Sequence, residues 1–198
     1  MPKFKIVTSI CVALLSFNVN AQQAPLKLAE KESKVLIHGT SSVHDWTAQC
    51  DQRSGDMVVV FDKGAVKTIQ SLNLKVKSKN IRSIDEKGAY YDDLMDSRIW
   101  KALETDKFAD ISVGLKQVKL VKPTGTKSEI DAIAVVSIHG VKKEVPVKVS
   151  AEANGTGVLI KGKKEIKMSD YGVKPPTILL EFLKTGDDII IEFELNYK

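Results

Sequence analysis

The feature that most constrains this chain is a hydropathy period of two. Apolar and polar residues alternate without error through Leu72-Asn73-Leu74-Lys75-Val76-Lys77. The same period returns in Val145-Pro146-Val147-Lys148-Val149-Ser150-Ala151, in Ile111 to Leu115, in Ala132 to Ile138 and in Ile189 to Tyr197. Successive side chains of a strand point to opposite faces, so each run reads as a strand with one face buried and one in water. Met57 to Phe61 is instead continuously apolar, which predicts cover on both faces or a helix laid over one of them. The separators are turn residues, among them Arg53-Ser54-Gly55-Asp56, Asp62-Lys63-Gly64, His139-Gly140 and Thr185-Gly186-Asp187. Asn154-Gly155, between two alternating runs, is the strongest hairpin signal. The count is about eight strands, antiparallel because the links are too short for crossovers.

One segment breaks the period. Tyr91, Leu94, Met95, Ile99, Trp100 and Leu103 recur at spacings of three and four, with Asp92, Asp93 and Asp96 toward the start and Lys101 toward the end. That pattern predicts a single amphipathic helix over Ala89–Leu103 whose charges suit the helix dipole. The expected architecture is therefore all-β: an eight-stranded antiparallel barrel with one amphipathic helix. An outer-membrane barrel also alternates, but it needs aromatic girdles at both interfaces. Aromatic residues make up only 6% of this chain, and lysines crowd the polar faces. The apolar face then points inward, either filling the barrel with side chains or leaving room for one apolar ligand.

The N-terminus adds an address. Lys3 and Lys5 precede an apolar run from Ile6 to Phe17 that ends on Val19-Asn20-Ala21. This is the form of a cleavable export signal over residues 1–21, and the run is too short for a membrane span. Residues 22–31 read as a loose polar lead-in and 32–198 as one barrel domain. The leader would remove two of the 30 basic residues, Lys3 and Lys5, and none of the 25 acids, so the formal charge falls from +5 to +3. The basic residues are dispersed, which argues against nucleic-acid binding. Of the two cysteines, Cys11 lies in the leader and Cys50 stays, too few for an internal disulfide. Cys50 is a small buried hydrophobe or the site of an intermolecular bridge.

Residues capable of chemistry are few. His44-Asp45 invites a catalytic reading, but neighbours on a strand face opposite ways, and no nucleophile elbow or oxyanion loop accompanies them. His38, His44 and His139 lack metal-ligand spacing, so neither a metal nor a cofactor is expected. Lys161, Lys163 and Lys167 form one polar face that is either merely solvated or an attraction for anionic lipid head groups. Asn154-Gly155-Thr156 matches a glycosylation acceptor pattern.

With these residues in view, the chain resembles the YceI family, the lipocalin-like polyisoprenoid-binding proteins of bacteria. The resemblance rests on Gly39-Thr40-Ser41-Ser42-Val43-His44-Asp45-Trp46, Asp93-Leu94-Met95-Asp96 running on to Trp100-Lys101-Ala102-Leu103, Ile138-His139-Gly140-Val141-Lys142-Lys143-Glu144-Val145, and Met168-Ser169-Asp170-Tyr171-Gly172-Val173-Lys174-Pro175-Pro176 with Gly186-Asp187. It departs at Phe108-Ala109-Asp110-Ile111, where Ala109 replaces the family's usual proline. It implies an eight-stranded lipocalin-like barrel, exported to the periplasm, that holds an isoprenoid or fatty amphiphile and has no shared catalytic motif. The inward sets of the alternating runs then become expected lining: Leu74, Val76, Ile111, Val113, Val136, Ile138, Val147, Val149, Ile166, Met168 and Phe193, with Met95 from the helix. Trp46, Tyr91 and Tyr171 are expected at the rim, where a ring buries one face and keeps its polar tip wet. The expected function is non-enzymatic binding, storage or transport of the amphiphile, with transient membrane-surface contact and homodimerisation as expected associations. The alternative is a structural or stress-response interaction protein with a filled barrel.

Overall fold

The computed structural model describes residues 24–178 and 183–198; the leader lies outside them. The elements run β1 Leu26–Lys27, β2 Lys34–Ser41, β3 Trp46–Cys50, β4 Arg53–Asp62, β5 Ala65–Lys77, β6 Ile81–Ile84, α1 Asp93–Ala102, β7 Asp110–Thr124, β8 Lys127–Ile138, β9 Val141–Asn154, β10 Gly157–Lys167, β11 Thr177–Ile178 and β12 Leu183–Tyr197. The strands form one antiparallel, curled sheet in the order β1-β4-β5-β7-β8-β9-β10-β12-β2-β3-β6, and β11 pairs with β12. The all-β architecture and the single helix match the alternation. The strand count does not, and the reason is local. β3 and β4 are parted only by Asp51-Gln52, and β5 and β6 only by the 3-10 turn Ser78–Asn80. These two bends face each other: the Asp51 N–H donates to the Asn80 carbonyl (3.0 Å) and the Lys77 N–H to that of Gln52 (2.9 Å). A corner of this kind divides a strand without interrupting its hydropathy period.

Residues 26–28, which lie in the stretch 22–31 read as a loose lead-in, join the sheet. Leu26 and Lys27 pair with Met57 and Asp56 of β4. Leu28 bridges Tyr197 of β12, and Lys27 and Lys198 exchange backbone hydrogen bonds of 2.7 and 2.9 Å. This short segment thus ties β4 to the end of the chain and curls the sheet on itself. The buried Arg53 locks it, donating to the carbonyls of Cys50, Ser33 and Glu30 (2.7 Å for the last), while its backbone N–H donates to the Glu30 carboxylate (2.9 Å). Sequence polarity concealed this, because the anchoring acceptors are mostly backbone carbonyls.

Two further elements differ from expectation. In β4, Met57 and Val59 are buried while Val58, Val60 and Phe61 are only half-buried, so this continuously apolar strand still alternates. The helix starts at Asp93 rather than Ala89, because the Asp92 carboxylate accepts from the Leu94 N–H (2.8 Å) and caps it there.

The barrel wall also opens at one place. β10 pairs with β9 only from Gly157 to Gly162, opposite Asn154 to Val149. Continued in register, the ladder would set Lys163 against Lys148 and Glu165 against Pro146, which has no N–H to give. The strands part there, and the 3-10 turn Ser169–Tyr171 packs against both. Below this opening the interior is filled: Met57, Val59, Val66, Leu74, Val76, Ile130, Ala151, Val158 and Leu195 belong to one buried cluster.

Candidate functional site

At the end of the barrel nearest α1, the side chains do not meet. They line a cavity of about 340 Å3 that is partly open to solvent. Its walls come from the inward positions of β2 and β3 (Ile37, Trp46, Ala48), from Ile81, Ile111, Ile138, Ile166 and Ile189, and from the segment Met168–Pro176. The helix closes one side with Met95, Arg98, Ile99 and Ala102, a stripe at spacings of three and four. α1 is held there by Asp96, which is 1% exposed. Its carboxylate accepts from the Ser83 N–H (2.6 Å), the Ser83 hydroxyl (2.8 Å) and Arg82 Nε (2.7 Å) of β6. That hydrogen bond raises the Arg82 pKa above its ordinary value. The Trp100 indole N–H adds a bond to the Ile81 carbonyl (2.9 Å).

Trp46 stands over Gly39, its cross-strand partner, where a Cβ would collide with the benzo ring. Its indole N–H donates to the Thr40 carbonyl (3.1 Å). The loop between β2 and β3 is knotted by the Ser41 hydroxyl, which donates to the His44 carbonyl (2.8 Å) and accepts from the N–H groups of Val43 and His44 (both 3.2 Å). Across the cavity, Asp187 accepts from the Ser169 N–H (2.8 Å) and hydroxyl (2.5 Å), which lowers its pKa and fixes the turn carrying Tyr171. Tyr171 is 2% exposed, burial raises its pKa, and its hydroxyl has no partner among the described residues.

Of the residues the alternation pointed to, the cavity gathers Trp46, Met95, Ile111, Ile138, Ile166, Met168 and Tyr171. Leu74, Val76 and Val149 sit instead in the filled core, and Val113, Val147 and Phe193 pack against it. Val136 packs on the smaller cluster of Ile138, Tyr171 and Val173. All seven have the inward parity, but none lines the cavity, and six of them belong to or pack against the filled core, where opposing side chains meet. Phe193 shows how: its ring occupies the space over Gly162 that a Cβ would need. Tyr91 is 57% exposed, because the helix starts after it. Sequence reading missed Ile37, Ala48, Ile81, Arg98, Lys184 and Ile189. The alternation of β2 and β12 could have flagged Ile37 and Ile189; nothing in the sequence singled out Ala48 or Lys184.

The residues considered for catalysis or metal binding are scattered. His44 Nδ1 lies 2.7 Å from the carbonyl of Asp45, not from its carboxylate. His38 bonds outward to Thr47 (3.1 Å) and Glu192 (3.2 Å), and His139 packs at a tilt against Phe108 at a turn. Among the described residues, no three His, Cys, Asp or Glu side chains converge. Lys161, Lys163 and Lys167 pair across to Glu194 (3.1 Å), Glu192 (3.1 Å) and Asp188 (2.9 Å), an outer face that is largely self-neutralised. The Lys163 bond, followed by His38, lowers the Glu192 pKa. Cys50 is 2% exposed in the core, and burial pushes its thiol up to about 12.

A curled antiparallel sheet, filled at one end and hollow and apolar at the other under a docked helix, defines the class of β-barrels with an internal apolar cavity. The chain belongs to the YceI family: the model of the YceI-like domain matches residues 26–197. No curated protein matches it in sequence. Among solved structures it is similar to BcnA of Burkholderia cenocepacia, at 16% identity and a TM-score of 0.63, covering 86% of this chain and 99% of that one. It is also similar to a polyisoprenoid binding domain from Saccharophagus degradans implicated in plant cell wall breakdown, at 15% identity and a TM-score of 0.66, covering 89% and 99%. The YceI protein of Campylobacter jejuni matches at 18% identity and a TM-score of 0.53, covering 76% and 84%. At these identities the likeness to the solved structures shows a shared fold.

Proposed function

We propose that this protein is a non-enzymatic carrier or store for a single-chain apolar amphiphile of isoprenoid or fatty type, working in the periplasm after loss of its leader. The observation that carries the reading is the 340 Å3 cavity, walled by isoleucine, methionine, valine and tryptophan and set inside an otherwise filled barrel. An apolar hollow that stays dry loses the contacts its lining could make, so an evolved one has a ligand to hold. Binding would come from removing the chain from water, about 0.8 kcal/mol for each methylene. The family model and the neighbouring polyisoprenoid binding domain support a lipid of this type. The alternating ladder supports an eight-stranded count if each bent pair, β3 with β4 and β5 with β6, is taken as one strand and the two-residue strands are set aside. The test is native extraction: protein purified from its own host should release an apolar chain detectable by mass spectrometry. Empty protein that also takes up no prenyl or fatty probe would overturn the reading.

A further inference from the structure

The cavity wall is apolar, but among the described residues its charged side chains have one sign. Among the described residues, the ionic side chains lining it are Arg98 and Lys184, with His44 as a third basic group; no Asp or Glu lines it. Arg98 is the informative one. The chain has three arginines. Arg53 donates through its terminal nitrogens to backbone carbonyls, and Arg82 is paired with Asp96 and Asp93. Arg98 is half-buried on the cavity stripe of α1, between Met95 and Ile99, and no described residue accepts from it. A guanidinium placed among apolar side chains without a carboxylate is costly unless something anionic completes it. Lys184 stands exposed at the edge of the cavity at the start of β12, where its backbone is fixed to the β2–β3 loop: its N–H donates to the Ser42 hydroxyl (3.1 Å) and its carbonyl accepts from the Ser42 N–H (2.9 Å). Thr185, paired with Ser41, brings a hydroxyl beside it.

We propose that Arg98 and Lys184 form an anion subsite in the cavity, taking the carboxylate or phosphate head of a single-chain amphiphile whose tail lies against the isoleucine and methionine wall. This rests on the proposed function and specifies the chemistry of its ligand. Guanidinium bonds to carboxylate or phosphate are charge-assisted and about twice as strong as neutral ones, so the head group becomes the main selector. A neutral alcohol of the same tail would gain the burial but not the ion pair.

The test compares matched probes on the purified protein: dodecanoate against dodecanol, and farnesyl phosphate against farnesol, followed by quenching of tryptophan fluorescence. The anion in each pair should bind about tenfold or more tightly, and the ratio should shrink with added salt. The doubly substituted R98Q/K184Q protein should bring that ratio toward one, while R98K should keep it. A urea titration of each variant guards against misfolding, and the wild-type ratio needs no variant at all. A phosphate preference over carboxylate would assign the prenyl phosphate class, and the reverse the fatty acid class; either supports the subsite. Equal binding of anion and alcohol would overturn it while leaving the carrier reading intact. Failure of all four probes to bind would instead overturn the carrier reading, and the subsite with it.

Discussion

Asp96 is the residue on which the site most depends without touching it. Replacing it with alanine removes three hydrogen bonds and leaves the buried Ser83 N–H without a partner. An orphaned buried donor costs about 1–3 kcal/mol. Bonds to a charged acceptor contribute about 1.5–3 kcal/mol, to be discounted for Arg82, whose side chain is 32% exposed. The sum expected for Asp96→Ala is a loss of about 3–4 kcal/mol, a large share of the roughly 5–15 kcal/mol of a typical domain. Asp96→Asn should lose about half of this: its amide oxygen can still accept both Ser83 bonds, but its NH2 faces Arg82 Nε. The assay is a urea titration followed through Trp46 and Trp100, with hydrogen exchange on α1 as a second readout. The order should be wild type, then Asn, then Ala, with α1 amides losing protection before the strands. An alanine variant within about 0.5 kcal/mol of wild type, or an asparagine variant no better than alanine, would refute the anchoring role.

Gly39→Ala should cost about 1–3 kcal/mol by overpacking against the Trp46 ring, shift tryptophan emission and weaken probe binding; unchanged emission would show that the ring is not seated there. Cys50 should ignore thiol reagents in the folded protein at mildly alkaline pH and react fully once urea unfolds it, since its pKa is pushed up to about 12 and it is buried; rapid modification of the native state would contradict that burial. Asp187 and Glu192 have lowered pKa values in the fold, the first through Ser169 and the second through Lys163 and then His38. The stability they add is therefore present above the ordinary carboxylate range near about 4 and lost as pH falls through their lowered values. Urea midpoints measured down that range should fall, and Asp187→Asn should make the fall shallower; an unchanged slope would sink the assignment.

The alternation made the fold legible because one parity is buried on most of the long strands, from Leu74 and Val76 to Ile189 and Leu195, although β7 has only half-buried apolar residues. What it could not show is depth along the barrel. Val149 and Ile166 carry the same inward signal, yet one fills the core and the other lines the hollow. The difference arises from what lies opposite: Phe193 can fill its layer because Gly162 yields the space, a relation between strands that no single run displays. The bends at Asp51 and Asn80 were hidden for the same reason, as they are closed by backbone groups common to all residues. Arg98 could have been noticed, since its place three after Met95 and one before Ile99 puts a charge on the apolar side of an amphipathic helix.

The same geometry sets a limit on the ligand. A methylene is about the size of a water molecule, whose share of liquid volume is about 30 Å3. A cavity of 340 Å3 thus holds about eleven carbons. Up to that length each methylene should add about 0.8 kcal/mol at most, part of which is lost to ordering the chain. Affinity for a series of saturated acids should climb steeply to about that length and then flatten, because the filled core of Met57, Val59, Leu74 and Val76 closes the way below. A longer isoprenoid would be taken in whole if α1 moved away from β6, and what resists that movement is the Asp96 network. The two effects are separable in one experiment. If chains well beyond the limit bind wild type and Asp96→Asn with the same plateau, their tails protrude through the mouth. If the asparagine variant alone continues to gain affinity with length, the helix is the wall that sets capacity. A wild-type curve that rises without any break would show that the cavity's dimensions do not govern binding.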